Sequence, residues 1–385
     1  MRKIHIAFIN LPTPSNVNPT FPVVSVMVRR GYRVTYVTSD RFAAQVSNLG
    51  AEVVRCSAFK FFEEIEGHKG DSRPAMVVYA EKMLAEITEF YENSRPDLII
   101  YDYMAFSGRI LAQRWNIRAI QTSPDLPEDV RNEGRLVKNF AGTGVAEYAA
   151  QVDDYFKQHG IVDHRVPFYD RLNIFFVPRI FQPPGEDVFG PRFFYAGRCA
   201  GEQDPYGDWQ CDDSDERPIV LLGTSTTYIE GADYFGMCTR ALHGLGCRMV
   251  IHAGDKLDAA SLRSLPSDCE VVRATTLVRL FRDARLLICH GGLITPAESA
   301  YYGVPLLMTT QGFPELEMWA DIVAASGLGI HLKKRDTNPE SIRRSAQRLM
   351  TDPSVLDRVR QIQRRIRQEP GAEETVNQIE EYLEA

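Results

Sequence analysis

Short aliphatic runs alternate with helical segments along this chain, and the rhythm occurs twice. No other feature constrains the fold as strongly. A strand that returns to its own sheet after a helix must do so in parallel, through a right-handed crossover. In the first half, Ile4–Ile9 reads as a strand and a polar, proline-rich loop follows from Asn10 to Pro19. Thr20 then stands where it can cap a helix running to Arg30, with Gly31 placed to end it. Val34–Val37 and Glu52–Arg55 read as further strands, Leu98–Tyr101 as a buried strand, and Ile110–Trp115 as part of the helix after it. Between about Ala200 and Arg217 the periodicity breaks at Gly201, Pro205, Gly207 and the acidic run Asp212-Asp213-Ser214-Asp215-Glu216. It restarts with Ile219–Leu222, a turn at Gly223 and a helix near Ala232–Gly244. Met249–Ala253, Glu270–Arg273, Leu286–Cys289 and Leu306–Thr309 read as later strands, and from Pro339 onward the pattern is helical.

The length of 385 residues suits two α/β domains better than one core. The expected division is 1–200, a linker over 201–217, a second domain over 218–365 and a terminal helical segment over 366–385. Two open parallel sheets joined in this way leave a cleft, and ligands of such sheets sit at the carboxyl ends of the strands.

Charge narrows the partners. With a net charge of −7, the chain lacks the concentrated basic face that nucleic acid or an anionic membrane requires. The arginine-dense stretch Arg358, Arg360, Arg364, Arg365 and Arg367 falls in a helical segment and reads as a solvated face. The seven cysteines are odd in number and form no Cys-x-x-Cys pair, which argues against a disulfide framework or zinc site and for a reducing, cytoplasmic setting. Met1–Ile9 is too short and interrupted for a signal peptide, and no apolar run is long enough to span a bilayer. A homodimer stays open.

The segment richest in chemistry is Leu286-Leu287-Ile288-Cys289-His290-Gly291-Gly292-Leu293-Ile294-Thr295-Pro296-Ala297-Glu298. An apolar strand ends at Cys289, two glycines let the backbone turn and a ligand approach, and a helix begins whose free N–H groups suit a phosphate. His290 can add a donor. The local alternative is a capping box of Thr295 with Glu298, Pro296 fitting the first turn.

From His290 through Gly303-Val304-Pro305 the chain resembles the donor-binding segment of the GT-B glycosyltransferases, in particular their bacterial natural-product (macrolide-type) branch. The resemblance runs the whole chain, through Asn18-Pro19-Thr20, Arg95-Pro96-Asp97-Leu98 with Asp102, Phe194-Tyr195-Ala196-Gly197 and Gly327-Leu328-Gly329. It implies an α/β GT-B fold, with two Rossmann-like doubly wound domains facing a central cleft and the last helix packing back on the first domain. It further implies transfer of a sugar from a nucleoside diphosphate, a UDP- or dTDP-sugar, to a small natural-product acceptor with inversion and no required cofactor or metal. His290, Gly291, Gly292 and Thr295 would hold the diphosphate, Glu298 the ribose hydroxyls, and Gly223, Thr224 and Ser225 would add phosphate contacts. The literal Asp213-Ser214-Asp215 lies in the linker rather than after a strand, so it does not read as a metal motif.

Three positions depart from the family pattern. In the loop Pro14-Ser15-Asn16-Val17-Asn18-Pro19-Thr20, Asn16 stands where the family has its base histidine, with Ser15 before it; Asp102 matches the orienting aspartate. A carboxamide cannot take a proton near pH 7. Either Asp102 is itself the base, or the acceptor is a phenol, carboxylate, amine, thiol or activated carbon that needs little help, or the protein is a non-catalytic sugar-nucleotide-binding homologue. Asp102 read alone could instead cap the following helix. Ala274, in Arg273-Ala274-Thr275-Thr276-Leu277, replaces the stacking tryptophan. Glu315-Leu316 stands where the family has an acidic-glutamine pair for the sugar hydroxyls. Ser15, Asn18, Phe59 and Phe62 are candidate acceptor contacts, although Phe59, Phe61 and Phe62 also read as core. A GT-B-fold epimerase fits the N-terminal loop less well.

Overall fold

The computed structural model describes residues 3–63, 75–127, 145–162, 169–182, 190–199, 209–212, 214–223, 232–252, 269–272, 277–310, 312 and 314–385. The chain divides into two compact units. One comprises Met1–Val177, Pro184–Gly201 and Pro370–Ala385, the other Pro178–Pro183 and Glu202–Glu369. Each is built on one parallel sheet with helices on its faces.

The first sheet runs β3-β2-β1-β4-β5-β6-β7. Its strands are β1 (His5–Ile9), β2 (Arg33–Thr38), β3 (Glu52–Arg55), β4 (Leu98–Asp102), β5 (Arg118–Ser123), β6 (Asn173–Phe175) and β7 (Phe193–Tyr195). The period-2 alternation of β1 sends Ile6 and Phe8 into one core and Ala7 and Ile9 into another. On the first face lies the helix Thr20–Arg29, covered by the terminal helix Gly371–Glu384 through Val376 and Ile379. Arg30 pairs with Glu373 at 2.8 Å and Glu380 at 2.7 Å beside that contact. On the second face, Phe106–Trp115 lies so close on β4 that a Cβ on Gly108 would come within 2.6 Å of Tyr101 Cβ. Only a glycine permits that approach, which sets the helix directly behind Asp102.

The second sheet runs β10-β9-β8-β11-β12-β13, from β8 (Ile219–Gly223), β9 (Arg248–His252), β10 (Cys269–Val272), β11 (Ala284–Cys289), β12 (Leu306–Thr309) and β13 (Gly329–Leu332). Val220, Leu222, Leu286, Ile288 and Leu307 pack with the helices Ala232–Leu242 and Pro339–Thr351 in one core.

In both sheets the first strand is flanked on one side by the next two and on the other by the fourth. The switch points therefore lie between β1 and β4 and between β8 and β11, where consecutive helices leave for opposite faces and a crevice opens. β5, β6, β7 and β13 were not expected from sequence. β5 carries Gln121, Thr122 and Ser123, and β13 is half-buried throughout, so neither shows an uninterrupted apolar run. Thr20 is not a cap: Pro19 holds that position, and the Thr20 hydroxyl is buried, donating to Val17 O at 2.7 Å. Nor is 10–19 all loop. Thr13, extended at φ −110°, and Pro14 at the first turn start a one-turn helix, Pro14–Val17.

Candidate functional site

In the first unit the switch point holds Asp102, the last residue of β4, and Asn16, on the one-turn helix after β1. Asn16 Nδ2 donates to Asp102 Oδ2 at 2.6 Å, and the Met104 backbone N–H donates to Oδ1 at 3.0 Å. The second contact is a turn across two residues, so Asp102 does not cap Phe106–Trp115, whose N-cap is Ala105. Asp102 is 1% exposed. Burial pushes its carboxyl up to about 7; the two donors act the other way, and Asp125 adds a smaller upward push. A carboxyl titrating there is divided between acid and base at neutral pH, the condition for a proton acceptor.

Asn16 is fixed from its other end as well. Its Oδ1 accepts from Ser15 Oγ at 3.0 Å and from Thr13 Oγ1. Because Nδ2 faces the carboxylate and Oδ1 faces two hydroxyls, the amide has one orientation. Thr13 was missed from sequence. The Thr-Pro pair that opens a helix was its signal, hidden by the proline-rich setting. Asn18 lies next to this helix with its Oδ1 buried and unpartnered. Phe59 is 1% exposed and packs 6.2 Å from Tyr79 within the core, the second of the two readings its sequence allowed. Phe62 is in the helix Ala58–Glu63, its side chain outside the described residues.

In the second unit, β8 ends at the buried Gly223 and β11 at the buried Cys289, with His290 following. Gly291 and Gly292 take φ of 106° and 89°, a left-handed pair that ordinary side chains resist. The helix Ile294–Tyr302 has Leu293 as N-cap, no side-chain cap and no acidic residue in its first turn. The alternative of a Thr295–Glu298 capping box is not realised, because the helix starts one residue before Thr295 and places it inside the first turn. The open N–H groups and the positive helix end remain available to an anion. Burial lowers His290 to about 4, so its imidazole is neutral at pH 7. Its Nδ1 is buried without a partner. Leu316 is buried, its carbonyl beside Gly291. Leu277 opens the helix Leu277–Phe281 and Glu315 lies in Pro314–Ser326, the side chains of both outside the described residues. Thr224, Ser225 and Ala274 lie outside them altogether, as does Asp213. Asp215 is held by Arg217 at 2.6 Å, which brings its carboxyl down to about 2. Among the described residues, no cluster of His, Cys, Asp and Glu suits a metal ion, and no helix is long and apolar enough to cross a membrane.

Residues 241–382 match the family described as erythromycin biosynthesis protein CIII-like, C-terminal domain. Over nearly its whole length the chain is similar to the NDP-glycosyltransferase YjiC of Bacillus licheniformis, with 30% identity covering 98% of each. The chain belongs to the GT-B glycosyltransferases of the macrolide type. Oleandomycin glycosyltransferase of Streptomyces antibioticus is 26% identical to this glycosyltransferase, over 99% of this chain and 91% of that protein. Among solved structures, CalG4, the calicheamicin glycosyltransferase, superposes with a TM-score of 0.83 at 29% identity, covering 100% of this chain and 99% of that one. The two switch-point constellations of this glycosyltransferase thus sit on the fold that the sequence resemblance implied.

Proposed function

We propose that this glycosyltransferase moves a sugar from a nucleoside-diphosphate sugar to a small natural-product acceptor with inversion, and that Asp102 is its base. The buried carboxyl of Asp102, brought to about 7, carries this reading. Asn16 replaces the histidine expected at that place, and an amide neither takes a proton at neutral pH nor needs to if the carboxylate behind it can.

The acceptor oxygen attacks the anomeric carbon and the bond from that carbon to the diphosphate breaks. The acceptor proton passes to Asp102, through a water where the Asn16 amide stands between them. The leaving diphosphate is assigned to the Ile294–Tyr302 helix start, with Gly291, Gly292 and Thr295, and to His290, whose free Nδ1 suits a hydrogen bond to it. Glu298 is assigned to the ribose hydroxyls, Gly223, Thr224 and Ser225 to further phosphate contacts, and Ala274, Leu277, Glu315 and Leu316 to the base and sugar. Ser15 and Asn18 are assigned to the acceptor. UDP- and dTDP-sugars are the donors to try first, consistent with relatives whose names carry NDP-glycosyltransferase and oleandomycin glycosyltransferase.

The test is turnover. Purified protein is incubated with a panel of UDP- and dTDP-sugars and phenolic, alcoholic and amine acceptors, and release of nucleoside diphosphate is followed. Transfer from at least one donor is expected. Thermal stabilisation by a nucleotide sugar with neither hydrolysis nor transfer would sink the catalytic reading.

A further inference from the structure

Outside the residues assigned above, one buried side-chain chain touches the donor turn. Thr310 directly follows β12, and His331 is the third residue of β13, in register with Met308. His331 Nε2 lies 3.1 Å from Thr310 Oγ1, and its Nδ1 lies 2.7 Å from Asp321 Oδ1, on the helix Pro314–Ser326. Asp321 also accepts from Lys333 Nζ at 3.4 Å. A carboxylate only accepts, so Nδ1 carries the ring proton, and in the neutral ring Nε2 then accepts from the Thr310 hydroxyl. The His331 side chain is 3% exposed and that of Asp321 55%, so the chain runs from the surface into the interior.

Its inner end meets the glycine turn. A Cβ on Gly291 would stand 3.6 Å from Thr310 Cγ2, 3.3 Å from Leu316 O and 3.5 Å from Ala320 Cβ. Gly291 is therefore wedged between the strand end that carries Thr310 and the helix that carries Leu316, Ala320 and Asp321. His331 ties those two walls together. An apolar residue of similar size would fill the space but would set neither the Thr310 rotamer nor the distance from strand end to helix.

We infer that His331 is a positioning residue for the donor diphosphate, acting through Thr310 and Asp321 on the surface against which Gly291 rests. The inference rests on the donor-site reading given above. Small displacements of a binding turn cost affinity steeply, because each charge-assisted hydrogen bond depends on distance and angle.

The experiment measures UDP and dTDP binding by calorimetry, beside steady-state kinetics, for wild type, Thr310→Val, Thr310→Ser, His331→Leu and the Thr310→Val/His331→Leu double variant. Thr310→Val removes only the hydroxyl and Thr310→Ser keeps it. Thr310→Val and His331→Leu are expected to weaken diphosphate binding about tenfold, the loss of roughly one well-placed hydrogen bond. Donor KM should rise by the same factor while acceptor KM stays unchanged. Thr310→Ser keeps the hydroxyl but loses the methyl that faces Gly291 and should bind between wild type and Thr310→Val, and the double variant should bind no more weakly than either single one, since both break one chain. A lower melting temperature with unchanged diphosphate affinity and donor KM overturns the positioning role and leaves the donor site standing. A wild-type protein that binds neither nucleotide overturns the donor-site reading first, and this inference with it.

Discussion

Asp102 in the first unit and His290 in the second both stand at a strand end beside a switch point, and burial drives both toward the neutral form, yet the two are finished differently. Asp102 has a donor on each oxygen, from Asn16 and from the Met104 backbone. Burial alone would keep it protonated, and the donors bring it back to about 7. His290 has no such partners: its Nδ1 is buried and unpartnered, and the helix that follows lacks both a cap and an acidic first turn. The first site holds its own charge with groups from the chain. The second leaves the His290 Nδ1 without a partner and the helix start without a side-chain cap, as the anion proposed there would require.

The largest effect should come from cutting the charge that the Asp102 site holds. Asp102→Asn keeps the shape and removes the base; transfer is expected to fall by about 10²–10⁴-fold, with nucleoside diphosphate affinity unchanged. Retained turnover in a steady-state assay would rule Asp102 out.

Removing the imidazole of the His290 site should show next. His290→Ala is expected to weaken nucleoside diphosphate binding about tenfold or more, the loss of a hydrogen bond to a charged group. Because free His290 is neutral above about 4, a bound diphosphate raises its pKa and draws in a proton. Wild-type affinity should therefore tighten as pH falls from neutral toward 4, and calorimetry in two buffers of different ionisation enthalpy should report proton uptake. Both signs should vanish in His290→Ala.

Placing a histidine at position 16 sharpens the comparison further. Asn16→His beside Asp102 should raise the rate with alcohol acceptors about tenfold, within the range of general-base contributions, while phenols gain less. An equal gain on both acceptor classes would argue that Asn16 does not set acceptor choice.

The smallest effect is the pH dependence of wild type. Asp102 titrates near 4 when unfolded and at about 7 when folded. The folded state thus retains a proton that the unfolded state has lost, and stability should decline as pH rises from about 4 to about 7, then level off. Over the same upper limb kcat/KM should rise through about 7 as the carboxylate forms. Asp102→Asn should flatten the stability curve, and a curve unchanged by that substitution would place the titration elsewhere.

Much of the fold was legible in the sequence because it follows from local patterning. The apolar runs of β1, β4, β8, β11 and β12, the glycine pair after Cys289 and the switch-point residues Asn16, Asp102 and His290 are all local signals. β5 and β13 were not, since β5 ends in Gln121, Thr122 and Ser123 and β13 is half-buried throughout, so neither carries an apolar run that marks a strand locally. Phe59 read from sequence either as an acceptor contact or as core, and packing puts it in the core beside Tyr79.

By itself the sequence determined which groups stand at each strand end, and that Asn16 cannot be a base, because a side chain's chemistry is fixed by its identity. Only the tertiary structure decided what those groups do. It set Asp102 and Asn16, 86 residues apart, at 2.6 Å, left the Ile294–Tyr302 helix without the side-chain cap that Thr295 and Glu298 could have formed, and joined Thr310, His331 and Asp321 into one chain. Protonation, free donors and hydrogen-bond partners depend on what surrounds a group, and that surrounding comes from segments far apart along the chain.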